Sequence, residues 1–258
     1  RSPSRGLGDV YKRQGETVAK TISEVLKIEL LPINHLEGHI LTPGLEKDGL
    51  KPPYLCLLVS GGHTQIIRCD DYGDYEIIGE TVDDACGEAF DKVGKLLNLE
   101  YPGGPKVSKL AEKGDKNKFS FPRAMMKDKN LNFSFSGLKT AVLYALEDLS
   151  EGDYPDVAAS FQEAVIEVLT TKLSWAVEET GIKKLVCSGG VASNQLLRDR
   201  LKALAEEQDL QLSYPSMEFC TDNAAMIAYA GYIRKKLKLK TYQTNFARPR
   251  WPLGELYD

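Results

Sequence analysis

Histidine and tryptophan are scarce in this 258-residue chain, at three and two residues. No apolar run approaches the roughly 20 residues needed to cross a bilayer, and no continuous apolar stretch of the secretory kind opens the sequence. A soluble protein is expected. The five cysteines, Cys56, Cys69, Cys86, Cys187 and Cys220, are odd in number and include no Cys-x-x-Cys pair. That argues against a disulfide framework or a thiolate zinc site and for reduced thiols in a core, with Cys56 and Cys187 inside apolar, strand-like runs. The expected compartment is the cytoplasm. Basic excess is missing too. The formal net charge is −4, so contact with nucleic acid has to use a local basic patch.

What is present is an α/β pattern with 42% hydrophobic residues, enough for one large domain or two lobes sharing a cleft. Residues 1–14 show no apolar periodicity and mix Ser, Pro and Gly, and they read as a foreign or disordered leader. Residues 16–27 read as a helix with Val18, Ile22, Val25 and Leu26 on one face, and 29–33 as a short strand. A helix carries 35–39. The uniformly apolar run 54–59 is a strand of the kind buried on both faces, followed by a tight turn, a partner strand at 65–69 and a third strand at 74–81. Residues 83–97 are helical, and the Lys-rich stretch 111–132 reads as a surface excursion. Helices follow near 137–149 and 155–180, the second with a core stripe of Phe161, Val165, Val168, Leu169, Leu173 and Ala176. A strand at 184–187, a helix at 195–207, a strand at 210–214 and a helix starting near Asp222 complete the pattern.

Two of the three histidines, His35 and His39, are spaced i, i+4. On a helix they sit about 40° apart on one face, close enough to share one ion. Two neutral imidazoles favour a transition metal over magnesium. A metalloprotease helix would place a Glu directly after the first His, where it activates the metal-bound water. Here Glu37 lies two residues on, about 200° around the helix and away from the ion. A third ligand has to come from elsewhere. Asp222, at the opening of a helix, is the best candidate, but on local grounds it reads better as an N-cap or first-turn acid favoured by the helix dipole.

Two Ser-Gly-Gly turns each follow a buried-type strand: Ser60-Gly61-Gly62-His63 and Ser188-Gly189-Gly190-Val191. The first suits a hairpin as well as a ligand. The second joins a strand to a helix, the setting in which backbone N–H groups meet a nucleotide or its phosphate. A third glycine site is Tyr101-Pro102-Gly103-Gly104-Pro105. That third site suits a sugar contact or a plain loop, while the two Ser-Gly-Gly turns suggest a two-lobed nucleotide cleft.

Eight segments occur together in one order: Asn34-His35-Leu36-Glu37-Gly38-His39, Leu58-Val59-Ser60-Gly61-Gly62-His63-Thr64-Gln65, Gly87-Glu88-Ala89-Phe90-Asp91-Lys92, Tyr101 to Pro105, Phe133-Ser134-Phe135-Ser136-Gly137-Leu138-Lys139-Thr140, Ser188 to Asn194, Thr221-Asp222-Asn223-Ala224-Ala225-Met226-Ile227 and Arg248-Pro249-Arg250-Trp251-Pro252. This order resembles the bacterial tRNA N6-adenosine threonylcarbamoyltransferase family, once described as O-sialoglycoprotein endopeptidases. The resemblance covers about residues 15–258.

It implies an actin-like ATPase fold of the sugar kinase and Hsp70 type, with two lobes around a cleft and the first lobe incomplete. The organisation expected from it is a leader at 1–14, a remnant of the N-terminal lobe with the His helix at 15–53, and a C-terminal lobe at 54–258 with a helical insertion and a return segment. The family's opening hairpin, with Gly-x-Glu-Thr-Ser, is not in this sequence, so a truncated chain is expected.

By the same resemblance, His35, His39 and Asp222 hold one divalent metal, iron in preference to zinc. Leu58, Val59, Ser60, Gly61, Gly62, Asp91, Gly104 and Asn194 bind threonylcarbamoyl-AMP or an ATP-like nucleotide. Ser108 stands where many relatives carry Asp and is left unassigned. The implied partners are tRNA, a metal-free paralogue as heterodimer partner and a small ATPase of the same pathway, with no membrane. Arg234, Lys235, Lys236, Lys238, Lys240, Arg248 and Arg250, near Trp251, are candidates for tRNA contact, although such a charge run is also what a solvated helix end looks like. A metalloprotease, a non-catalytic scaffold and a small-molecule kinase or carbamoyltransferase of the same superfold are the alternatives.

Overall fold

Six consecutive apolar residues cannot alternate between core and solvent, so the run 54–59 needs cover on both faces. The computed structural model, which describes residues 3–46, 49–241, 248 and 251–256, supplies it. Strand β1 (Tyr54–Val59) is the centre of a five-stranded sheet ordered β3-β2-β1-β4-β5. Strands β2 (Thr64–Asp71) and β3 (Asp74–Glu80) continue antiparallel on one side, while β4 (Lys184–Ser188) and β5 (Gln211–Ser213) are parallel on the other. Leu58 lies opposite both Gln65 and Ser188, so the two Ser-Gly-Gly turns leave from neighbouring strand ends.

The pleat sorts the apolar run between two cores. Leu55, Leu57 and Val59 face a large cluster built with α3 (Cys86–Leu96), α4 (Gly103–Ala111), α5 (Ser136–Ala145), α6 (Tyr154–Thr180) and α7 (Gln195–Gln208). Tyr54, Cys56 and Leu58 face a smaller one with Leu36, Ile40, Tyr75, Val186 and Leu253. The predicted stripe of α6 is buried as expected, with the Phe161 ring edge-on to Phe90 at 5.1 Å. Burying one such side chain contributes about 1.5–3 kcal/mol. The smaller core is where the His helix, α2 (His35–Leu41), lies on the sheet. Helix α8 (Ala224–Lys236) packs across α2.

Several expectations change. Helix α1 spans Pro3–Leu26, so the helix read from residue 16 extends back through most of the stretch taken as a disordered leader. Its stripe is not in a core: Val18, Ile22, Val25 and Leu26 are all exposed. Residues 29–33 form no strand, Ile28 and Leu30 beside or within them are exposed, and among the described residues no strand lies alongside to complete a ladder. Helix α3 starts at Cys86 rather than 83, because residues just before it are tied elsewhere. Thr81 bridges to Phe133, and the Asp83 carboxylate accepts from the Ser134 hydroxyl and the Phe135 and Ser136 N–H groups at the start of α5. The excursion at 111–132 is also less superficial than its lysines suggested. Phe121 and Leu131 are buried, and fully buried Lys172 donates to the carbonyls of Met125 and Asn130. All five cysteines are free and buried, as expected. Burial pushes the Cys69 and Cys187 thiols up to about 12, which leaves them unreactive. Among the described residues, no helix is long and apolar enough to cross a membrane.

Candidate active site

Helix α2 is short and its start is fixed by Asn34, whose side-chain oxygen accepts from the N–H groups of Leu36 and Glu37 while its Nδ2 donates to the Trp251 carbonyl. Near its other end, Tyr54 at the start of β1 donates to the Ile40 carbonyl. The C-terminal part of α2 is thereby held beside the start of β1.

The chain brings His35, His39 and Asp222 together. Nε2 of His35 lies 3.3 Å and Nε2 of His39 3.0 Å from the same oxygen, Oδ1 of Asp222. The imidazoles are 4.8 Å apart between centroids and nearly perpendicular at 89°. Sequence logic left Asp222 as either a helix-start acid or a ligand. Asn223 takes the capping role, accepting from the Met226 N–H, which frees the Asp222 carboxylate to turn toward the histidines. Hydrogen bonding to His35 and then to His39 holds that carboxylate below the usual carboxylate range.

His39 is 3% exposed whereas His35 is 41% and Asp222 72% exposed, so the cluster is anchored on one side and open on the other. The Nδ1 atom of His39 is buried without a hydrogen-bond partner. Two imidazole nitrogens and one carboxylate whose ligand atoms lie within 4.8 Å of one another, with an open side, form a donor set that fits a transition-metal ion.

The proposed nucleotide residues form a second, continuous group. At the first turn Ser60 Oγ accepts from the N–H groups of Gly62 and His63, so those two donors stabilise the turn rather than face outward. Gly87 at the start of α3 packs so closely on this turn that a Cβ there would lie 2.6 Å from the Ser60 carbonyl oxygen. One helical turn on, Asp91 Oδ1 accepts from the Gly103 N–H at the start of α4, so one of its two oxygens ties α3 to α4. Within α4, Ser108 Oγ donates to the Gly104 carbonyl and accepts from Asn194 Nδ2, which also donates to Gln162 Oε1. Asn194 Oδ1 caps α7 by accepting from the Leu197 N–H. Beside it Gly189, at φ 94°, sits against the backbone of Val59 and closes the ring of contacts. A Cβ on Gly61, Gly62 or Gly190 would meet open space, so the turns are uncovered on their outer side.

Leu58 and Val59 differ from the other members of this group. Their side chains are 0% exposed and lie on opposite faces of the sheet, so they support the turn from below. Gln162 was missed. The signal was available: it is one of a few polar residues on the mostly apolar buried side of α6, and such a group requires a partner. Of the basic residues, Lys235, Lys236, Lys238, Lys240 and Arg248 are exposed, and the Arg248 guanidinium lies 5.7 Å from the Trp251 ring centre. Arg250 falls outside the described residues. Arg234 does not belong with them. It is 3% exposed and forms an ion pair at 2.6 Å with fully buried Glu37.

The sheet and its two layers of cover place the chain among mixed α/β proteins of the actin-like ATPase fold. Its fold is similar to a crystal structure of full-length HypF in the phosphate- and nucleotide-bound form, with a TM-score of 0.66 at 15% identity over 84% of this chain and 38% of that one. It is equally similar to T. kodakarensis HypF, with a TM-score of 0.67 at 18% identity over 86% and 39%. At such identities the likeness concerns the fold alone.

The model of the family TsaD, tRNA N6-adenosine threonylcarbamoyltransferase, matches residues 13–229, and the chain belongs to this family. Curated relatives of that name include one from Herminiimonas arsenicoxydans, 47% identical over 94% of this chain and 73% of its own length. Another, from Thermosipho africanus, is 48% identical over 91% and 72%.

Proposed function

We propose that this chain transfers the threonylcarbamoyl group from threonylcarbamoyl-AMP to N6 of the adenosine next to the anticodon in tRNAs that read codons beginning with A. The observation that carries this reading is the convergence of His35, His39 and Asp222 on one point, in a family member whose glycine turns lie uncovered at adjacent strand ends. The exocyclic amine of adenosine attacks the carbamoyl carbon. A C–N bond forms, the C–O bond to the phosphate breaks, AMP departs and the amine proton passes to solvent. His35, His39 and Asp222 would hold a divalent ion, iron in preference to zinc, which would supply Lewis-acid polarisation when bound.

The rest of the task is positioning. The uncovered sides of Gly61, Gly62 and Gly190 offer backbone at close range to the adenylate. The Asn194–Ser108–Gln162 cluster and the second oxygen of Asp91 offer polar groups along the same rim. Lys235, Lys236, Lys238, Lys240 and Arg248, with Trp251, form the patch that meets tRNA phosphates. The partners in this reading are tRNA, the metal-free paralogue and the small ATPase, in the cytoplasm. Peptide hydrolysis is disfavoured by Glu37, the only carboxylate between the two histidines, which is committed to Arg234 and Tyr75.

The test supplies unmodified tRNA, threonylcarbamoyl-AMP and the two protein partners, and analyses the tRNA nucleosides by mass spectrometry. Threonylcarbamoyl-adenosine appearing in step with AMP is the expected result. AMP released while the tRNA stays unmodified sinks the transfer reading.

A further inference from the structure

The Glu37 carboxylate is 0% exposed, and the sequence gives it no catalytic role. Its Oε2 lies 2.6 Å from Nε of Arg234, and its Oε1 accepts from the Tyr75 hydroxyl at 3.1 Å. Arg234 in turn donates to the carbonyl of Lys240. Three elements meet at this point: α2, α8 and β3. Two of them are the elements that present the candidate metal ligands. His35 and His39 are on α2, and Asp222 precedes α8, 183 residues from His39 in sequence.

Asp222 reaches the histidines only if α8 keeps one position on α2. Gly38, between the two histidines, packs closely on Met226 and Ile227, an apolar contact that carries no directional bond of its own. The ion pair is directional. Arg234 lies ten residues beyond Ala224, about 15 Å along α8, so Asp222 contacts α2 from just before the start of α8 and Arg234 from near its end. Well-packed apolar side chains would join two helices as strongly as a buried ion pair, so a charge pair at this crossing selects one geometry rather than adding strength.

We propose that Glu37 and Arg234, with Tyr75, are positioning residues for the metal centre: they lock α8 onto α2 in the one arrangement that brings Asp222 to His35 and His39. The proposal rests on the metal reading above and deepens it.

Cobalt(II) is the probe, because its visible absorption reports the ligand geometry as well as occupancy. The variant Glu37→Leu/Arg234→Met removes both charges together, so neither is left buried alone. It is expected to unfold cooperatively yet to bind cobalt(II) about 10–100-fold more weakly, the usual effect of losing groups that orient metal ligands, with an altered spectrum. Tyr75→Phe removes one hydroxyl and no charge. It is expected to show a smaller loss of the same kind, and it decides the matter if the double variant fails to fold. Wild-type affinity and spectrum in the folded double variant, or in Tyr75→Phe where the double variant does not fold, overturns the positioning role while leaving the metal site intact. A wild-type protein that takes up no cobalt(II) overturns the metal reading first, and the positioning role with it.

Discussion

Asp222→Ala is expected to strip the protein of its metal and reduce threonylcarbamoyl transfer at least about 100-fold, because even groups that only orient a metal ligand are worth 10–100-fold in affinity. The substitution is clean for a structural reason. Asp222 is 72% exposed, and α8 takes its cap from Asn223, so the change leaves no cavity and no uncapped helix. Stability should fall by about 1–3 kcal/mol at most, the cost of leaving the buried His39 Nε2 without its partner. The loss is therefore electrostatic: without the carboxylate, His35 and His39 face each other with no anion between them. Elemental analysis of the purified variant, beside its melting curve, checks this. Full metal occupancy in folded Asp222→Ala contradicts the ligand assignment.

The second large effect concerns the join between the two glycine turns. Gly189→Ala places a Cβ at φ 94°, which L residues rarely adopt, and 2.4 Å from the Val59 carbonyl oxygen. The backbone strain alone costs on the order of 1–3 kcal/mol. The clash is with the backbone of β1, the central strand, which cannot move without disturbing its ladders to β2 and β4. A total loss of roughly 3–5 kcal/mol is expected, in the range reserved for strained or overpacked positions. Gly190→Ala is the internal control. Its Cβ meets open space, so it should unfold within about 1 kcal/mol of the wild type. Denaturant titration of both variants separates the cases, and equal stability would show that the turns are not packed as described.

Much of the central sheet was legible because its signals are local. The continuous apolar run 54–59 could only be a strand covered on both faces, and it lies between two cores. The histidine pair was legible from helical spacing, and so was the direction of Glu37 away from the histidines. What lay beyond reach was set by partners far along the chain. The partner of Glu37 is 197 residues away, so Arg234 was taken with its neighbours as one more surface cation. Asp222 could not be told from a helix-start acid, because only the tertiary fold shows that Asn223 does the capping and that two histidines wait opposite. Periodicity found the apolar face of α1 but could not say what covers it, and in the described structure that face is exposed. The stretch 29–33 has strand-like composition, but a strand needs a neighbour, and composition does not report one.

The most direct test of metal-dependent transfer is to remove the ion and put it back. Protein dialysed against a chelator until its metal content reaches zero should lose transfer to tRNA while remaining folded, and iron(II) or zinc added in equimolar amount should restore it. Undiminished transfer by metal-free protein would contradict the account.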